Sequence, residues 1–405
     1  MKKNLPSTVH LAARMSDIAA FEAVELLTKA RELEAQGRSI IHMEVGEPDF
    51  ATPEPIIEAG MKALRQGNIH DTPALGLTSL REAIAEWYAT RYHVTVAPER
   101  IVVTAGGSGA LLLALGVLLS PGDEVLIADP SYPCNRHFVR TLEGQAKLIP
   151  TSPQSAYQLT AEIVAANWSN KTVGVMLASP SNPTGTMIAP TEMQAIAEVV
   201  SARGGCLIVD EIYHGLTYGC DATTALTISD DIFVLNSFSK YFQMTGWRIG
   251  WLVVPPAYIR EIEKLAQNLF ICPPTLAQHA ALAAFRPETL AIVEERRAEF
   301  QRRRDFLLPA LRELGFEVPV TPVGAFYIYA DCSRVCSDTF TFAEQLLHEA
   351  GVAMTPGRDF GIAAPQRYMR LTYTTSLEKL AEGVERIRQH LRQHSNYSGF
   401  QVDAS

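Results

Sequence analysis

From about residue 78 to 290 the sequence alternates short, continuously apolar runs with helix-like stretches, and this alternation constrains the fold more than any other feature. The runs are "RIVVTA", "DEVLIADP", "AKLIPTS", "VGVMLASP", "GCLIVDE", "IFVLNSF" and "IGWLVVP". A strand covered on one face alternates apolar with polar residues, whereas one covered by helices on both faces is apolar throughout. The pattern therefore predicts an α/β fold whose large domain is a mostly parallel, doubly wound sheet. Residues 287–314 read as a long connecting helix. Shorter strands and helices follow it, with "FEVPVTP" (316–322), "GAFYIYADC" and "RYMRLTYTT" among the strand-like segments, the texture of a smaller α+β domain. Residues 16–36 have helical periodicity, with Ser16 or Asp17 as the N-cap and Gly37 as the stop. The expected organisation is an N-terminal arm and helix over 1–45 belonging to the smaller domain, a large domain over 46–286, the smaller domain over 287–395, and a tail over 396–405.

The formal net charge of −9 argues against non-specific affinity for nucleic acid or for an anionic membrane. The longest apolar stretch, Ala110 to Leu119, is too short to span a bilayer. The opening "MKKNLPSTVH" lacks the apolar core of a secretory signal. Six cysteines without a CxxC pair read as reduced thiols, and the expected location is cytoplasmic.

Ligand sites in open α/β sheets lie off the carboxyl ends of the strands. The residues just past the apolar runs are a Gly106-Gly107-Ser108 turn, Tyr132, Asn182, Asp210 with Tyr213, and Ser237, Ser239 and Lys240. Each has a bland reading: the glycine turn as a tight connection, Asn182 as a turn residue, Asp210 as a helix N-cap, Tyr132 as packing. Lys240 resists one. It ends a buried run, no carboxylate follows within ten residues, and the next charge is another cation, Arg248. A ligand carrying a phosphate and an aldehyde would resolve the puzzle. Backbone N–H groups at the glycine turn, the hydroxyls of Ser108, Ser237 and Ser239, and Arg248 would hold the phosphate. An amine with a lowered pKa would meet the aldehyde as an imine. Asp210 would keep a pyridine nitrogen protonated.

With these residues stand "MEVGEPDFATP" (43–53), "TPALGLTSLREAIA" (72–85), "TAGGSGAL" (104–111), "DPSYP" (129–133), "SPSNPTG" (179–185), "VDEIY" (209–213), "SFSKYFQMTGWRIGW" (237–251), "PVGAFYIY" (322–329) and "YMRLTY" (368–373). In this order the chain resembles the class I/II aminotransferases of fold type I, which use pyridoxal 5′-phosphate (PLP). The resemblance implies an aminotransferase that moves an amino group from an L-amino acid to a 2-oxo acid by a ping-pong cycle. Lys240 would hold PLP as an internal aldimine and act as the general acid/base. Asp210 would pair with the pyridine nitrogen, Asn182 and Tyr213 with the phenolic oxygen, and Tyr132 would stack on the ring. Gly107, Ser108, Ser237 and Arg248 would hold the phosphate. Arg370 would grip the substrate α-carboxylate, with Asn182 and the backbone of Gly46 assisting. A homodimer with the active site at its interface is also implied.

One position departs from the pattern. Asp71 stands where many relatives have a tyrosine that reaches the phosphate of the other subunit. His70 as the donor in its place, Asp71 turned to solvent, and weakened PLP binding are the three readings. The same core residues also serve PLP-dependent β-elimination, the alternative activity. A ligand-sensing regulator would need a DNA-binding domain, and the roughly 40 residues before the core show no helix-turn-helix. Donor and acceptor stay open, with side-chain selection placed on residues 18–21, the 67–76 loop and the partner subunit.

Overall fold

A computed structural model describes residues 10–67 and 69–394. The expected tail over 396–405 and the first nine residues of the arm lie outside the described residues. The strands, in chain order, are β1 (Ile41–His42), β2 (Ile101–Thr104), β3 (Glu124–Asp129), β4 (Gln145–Pro150), β5 (Thr172–Ala178), β6 (Cys206–Asp210), β7 (Ile232–Ser237), β8 (Gly250–Val253), β9 (Tyr327–Asp331), β10 (Val352–Ala353), β11 (Thr355–Pro356) and β12 (Tyr368–Thr372).

Seven of them form one sheet in the order β2-β8-β7-β6-β5-β3-β4. Its pairings are parallel except at β8, which runs against both β2 and β7. The apolar runs divide residue by residue between two cores. Val103, Leu126, Val175, Leu177, Leu207, Val209, Val234 and Trp251 join one. Their chain neighbours Val102, Val125, Ile127, Met176, Ile208, Phe233, Leu235 and Leu252 join the other. Side chains alternate faces along a strand, so an unbroken apolar run is what two buried faces require. Each such side chain contributes about 1.5–3 kcal/mol on burial. The sheet is the α/β framework that the alternation predicts.

A second sheet of order β11-β12-β9 is antiparallel, and β1 pairs in parallel with β10. Leu26 and Ala30 of the helix Glu22–Ala35 pack with Ile40, Leu347 and Ala353. The beginning of the chain is thereby fastened to residues more than 300 positions away.

Three expectations are corrected. The first helix starts at Glu22, and residues 13–17 form a separate 3-10 turn. Ser16 donates back to the Ala13 carbonyl, and Asp17 pairs with Arg140 at 2.8 Å. The side-chain acceptor at the true start is the carboxylate of Asp359, which receives the N–H groups of Glu22 at 3.2 Å and Ala23 at 3.3 Å. The segment 316–322 is not a strand; only Glu317 bridges Asp331, and Pro319 and Pro322 remove two of its ladder donors. Asp210 caps no helix, because a turn rather than a helix follows β6.

Replacing Asp359 with alanine leaves two N–H groups of the helix start without their acceptor. The expected loss is about 0.5–2 kcal/mol, read as a lower urea midpoint at unchanged m-value. An unchanged midpoint would show that the cap does not hold the helix.

Candidate active site

The carboxyl ends of the large sheet open onto a cavity of about 540 Å³. Lys240 lies three residues beyond β7. Its Nζ donates to the Gly46 carbonyl at 2.6 Å and sits 5.7 Å from the centre of the Phe326 ring. Burial lowers the amine to about 8. The negative charges of Glu47 and Asp210 oppose this, and Arg370 and Arg248 reinforce it. Among the described residues Lys240 has no carboxylate in ion-pair contact. Asp210 ends β6 and accepts the N–H of Ile212 at 2.9 Å. Its burial pushes the carboxyl up to about 7, against the pull of that N–H and of Lys240.

The helix Gly106–Leu118 begins at the same edge, with Gly107 and Ser108 in the cavity wall. Gly106 has φ +69°, and a Cβ there would lie 2.7 Å from Nη2 of Arg248. A glycine is required both for the backbone conformation and to admit the guanidinium. Nη1 of Arg248 donates to the Thr245 carbonyl at 2.9 Å. The helix N-terminus, Arg248 and the hydroxyls of Ser108 and Ser239 give this side of the cavity the character of an anion site.

Tyr132 lines the cavity, and its ring meets that of Phe21 edge-on at 6.1 Å. The hydroxyl of Tyr213 is 2.6 Å from that of Tyr327. Asn182 Oδ1 accepts from Nη1 of Arg370 at 3.0 Å, and Nη2 donates to the Glu44 carbonyl at 2.5 Å. The guanidinium lies 4.6 Å from the centre of the Tyr327 ring and 4.7 Å from that of Phe360. Among the described residues its Nε has no hydrogen-bond partner.

The fold thus brings Gly46, Gly107, Ser108, Tyr132, Asn182, Asp210, Tyr213, Lys240, Arg248 and Arg370 to one cavity. Ser237 is the exception. Its buried hydroxyl is 3.0 Å from the Ile249 carbonyl and 2.8 Å from the Ser239 hydroxyl, and it accepts the Ser239 N–H. It stands behind Ser239, and Ser239 is the hydroxyl that faces the cavity. Sequence reasoning had Ser239 in view as a phosphate donor but assigned it no role by resemblance. It missed Tyr327, although the residue stands in "PVGAFYIY", and Glu47, which stands in "VGEPDF". Phe21, Val24 and Leu27 complete an apolar wall, of which the emphasis on residues 18–21 caught only the first. Asp71 lies off the cavity of its own chain, where its carboxylate accepts from the Cys272 thiol at 3.6 Å. The His70 carbonyl accepts from Thr275 at 2.8 Å.

In the unliganded protein the reaction of Lys240 with an amine reagent is expected to rise with pH through a midpoint near 8, as the ammonium loses its proton. Asp210→Asn removes a negative charge that favours the ammonium, so the midpoint moves lower. Mass-spectrometric labelling across pH reads both, and a midpoint at the ordinary lysine value of 10.5 would show an amine that is not desolvated.

Comparison with known proteins accords with this geometry. Residues 38–387 match the family described as aminotransferase class I and II. A valine–pyruvate aminotransferase of Mycobacterium tuberculosis is 39% identical, with 93% of this chain and 97% of that protein aligned. A (5-formylfuran-3-yl)methyl phosphate transaminase of Methanocaldococcus jannaschii is 38% identical over 94% of this chain and 99% of its own length. The crystal structure of an aminotransferase from Mycobacterium tuberculosis superposes with a TM-score of 0.92 at 38% identity, covering 95% of this chain and all of that one. With sequence and fold matched almost end to end, the chain belongs to the class I and II aminotransferases and is an enzyme that transfers amino groups.

Proposed function

We propose that this aminotransferase works with PLP, passing an amino group from an L-amino acid with an uncharged, largely apolar side chain to a 2-oxo acid in a ping-pong cycle. The observation that carries the reading is Lys240: a desolvated amine held beside an anion site and a buried carboxylate. The residues fit the cofactor. Gly106 leaves the space that Arg248 fills at the helix start, Asp210 is a buried carboxylate with no cation in ion-pair contact among the described residues, and Tyr213 and Asn182 present polar groups between them. Gly107, Ser108, Ser239 and Arg248 would hold the phosphate, Asp210 the ring nitrogen and Tyr132 the ring face, while Ser237 fixes Ser239 from behind. PLP, when bound, supplies the aldehyde that takes up the amine and the ring that stabilises negative charge developing at the α-carbon.

The protein supplies the rest. Nζ of Lys240 moves the proton at the substrate Cα, and an amine with a pKa near 8 is matched to that work at neutral pH. Arg370 holds the α-carboxylate, and Asn182 fixes the guanidinium plane. The substrate side chain meets Phe21, Val24 and Leu27. Of the cationic residues that the described part of this chain brings to the cavity wall, Lys240, Arg248 and Arg370 all have other duties, so none of these three is left to bind a distal carboxylate.

The large cofactor-binding domain over 46–286 and the smaller domain built from 1–45 and 287–395 are part of this reading, supported by their separate sheets. So is a homodimer. Exposed Ile69, Leu269 and Ile271 flank the contact of Asp71 with Cys272, an apolar surface that a second copy would cover. Six unpaired cysteines accord with the cytoplasm.

The test is the absorbance of the purified enzyme with amino acids added singly. A band that changes with a donor and returns with a 2-oxo acid is expected, and aliphatic or aromatic donors should surpass aspartate by roughly tenfold or more in kcat/KM. Aspartate as the preferred donor would overturn the side-chain assignment. Release of ammonia and pyruvate from a cysteine conjugate, without amino transfer, would favour elimination. Asp71→Tyr is expected to tighten PLP, measured by equilibrium dialysis; no tightening would mean that Asp71 does not weaken the phosphate site.

A further inference from the structure

The C-terminal helix Leu377–Gln393 carries His390 in its last turn, and His394 is its C-cap. Four residues apart, the two lie one above the other, with ring centres 4.2 Å apart. Facing them is Glu349, on the π-helical turn Leu346–Ala350. A single oxygen, Oε2 of Glu349, lies 3.5 Å from Nδ1 of His390 and 3.1 Å from Nε2 of His394. All three atoms fall within 4.8 Å of one another.

The tautomer of His394 is set by its other nitrogen. Nδ1 is 2.9 Å from the His390 carbonyl, so Nδ1 carries the proton and donates it. In the neutral ring the Nε2 lone pair then points at a carboxylate oxygen, a contact that either a proton or a metal cation between them relieves. A ligand histidine characteristically donates its remaining N–H to a carbonyl or carboxylate, which is the arrangement of His394.

We propose that Glu349, His390 and His394 form a binding site for a divalent transition-metal ion of the Zn²⁺ type. Two imidazole nitrogens and one carboxylate oxygen suit such an ion and not Ca²⁺ or Mg²⁺, which take oxygen donors. Metal–ligand bonds of about 2.0–2.2 Å in a tetrahedral set place ligand atoms roughly 3.3–3.5 Å apart, close to the two separations to Glu349. His390 is buried, whereas Glu349 and His394 are about half exposed, so the fourth position is open to water. None of the three residues lines the active-site cavity, which makes the ion a clamp rather than a reactant. It joins the end of the last helix to the turn that leads into β10. Through the β1·β10 pairing the clamp reaches the segment that carries Val45 and Gly46 to the cavity. The site does not depend on the identity of the amino donor.

The experiment uses PLP-loaded enzyme freed of metal with a chelator and dialysed against Zn²⁺, beside Glu349→Gln and His394→Ala, both at half-exposed positions. Wild type is expected to bind about one Zn²⁺ per chain and to gain roughly 2–5 °C in Tm at a hundredfold excess over Kd, with Mg²⁺ giving no gain. Each variant should bind at least about tenfold more weakly and lose the gain in Tm, while its metal-free Tm and kcat stay at wild-type values. Equal Zn²⁺ affinity in the variants would place the ion elsewhere, and no binding by wild type would refute the site.

Discussion

Arg370 is a buried cation that joins three distant parts of the chain without a carboxylate partner among the described residues. It rises from β12, bonds the side chain of Asn182 beyond β5 and the carbonyl of Glu44 after β1, and lies between the rings of Tyr327 and Phe360. A buried charge left unpaired costs several kcal/mol. An amide, a carbonyl and two ring faces offset only part of that, and among the described residues Nε remains without a partner. Under the proposed function, the remaining deficit is what an incoming carboxylate would remove. The same guanidinium therefore organises the junction between the two sheets and keeps binding capacity for an anionic substrate group.

The cavity extends this logic to proton chemistry. Burial is the leading cause of both principal shifts, taking the Lys240 amine down to about 8 and the Asp210 carboxyl up to about 7. Cation and anion are moved toward one another on the pH scale by the same desolvation, with only weak mutual compensation because they do not form an ion pair. Three cationic side chains face two anionic ones, Glu47 and Asp210, across the wall. The balance favours anionic occupants, and the helix N-terminus at Gly106 adds to it on the side of Arg248.

The large sheet was legible because its strands are buried on both faces, so the sequence carries long apolar runs whose ends mark where polar residues emerge. Asn182, Asp210 and Lys240 could be gathered from that rule alone. Strand direction was not readable: the apolar pattern of β8 is the same in either sense, and only the pairing with β2 and β7 reveals it as antiparallel. The start of the first helix was misplaced because the acceptor for its N–H groups lies more than 330 residues away, at Asp359. Ser237 and Ser239 could not be ranked from sequence, since both are hydroxyls two positions apart. Which one faces the cavity depends on the strand end and on Ile249. Glu349 reaches His390 and His394 only through tertiary packing, and no spacing rule connects them.

In the proposed function, chemistry and selectivity rest on different parts of the chain, yet they meet at two adjacent residues. The reactive groups stand on strand ends of one rigid sheet, while the apolar wall belongs to a helix held by long-range contacts. Asp359 accepts the first N–H groups of that helix, and the ring of Phe360 lies against the Arg370 guanidinium. A displacement of the 359–360 backbone would therefore move the side-chain wall and the carboxylate grip together. Under the proposed function, substrate fit at the wall and alignment of the α-carbon before Lys240 would in this way be mechanically linked, so that a side chain poorly matched to Phe21, Val24 and Leu27 would disturb the grip on which the proton transfer depends.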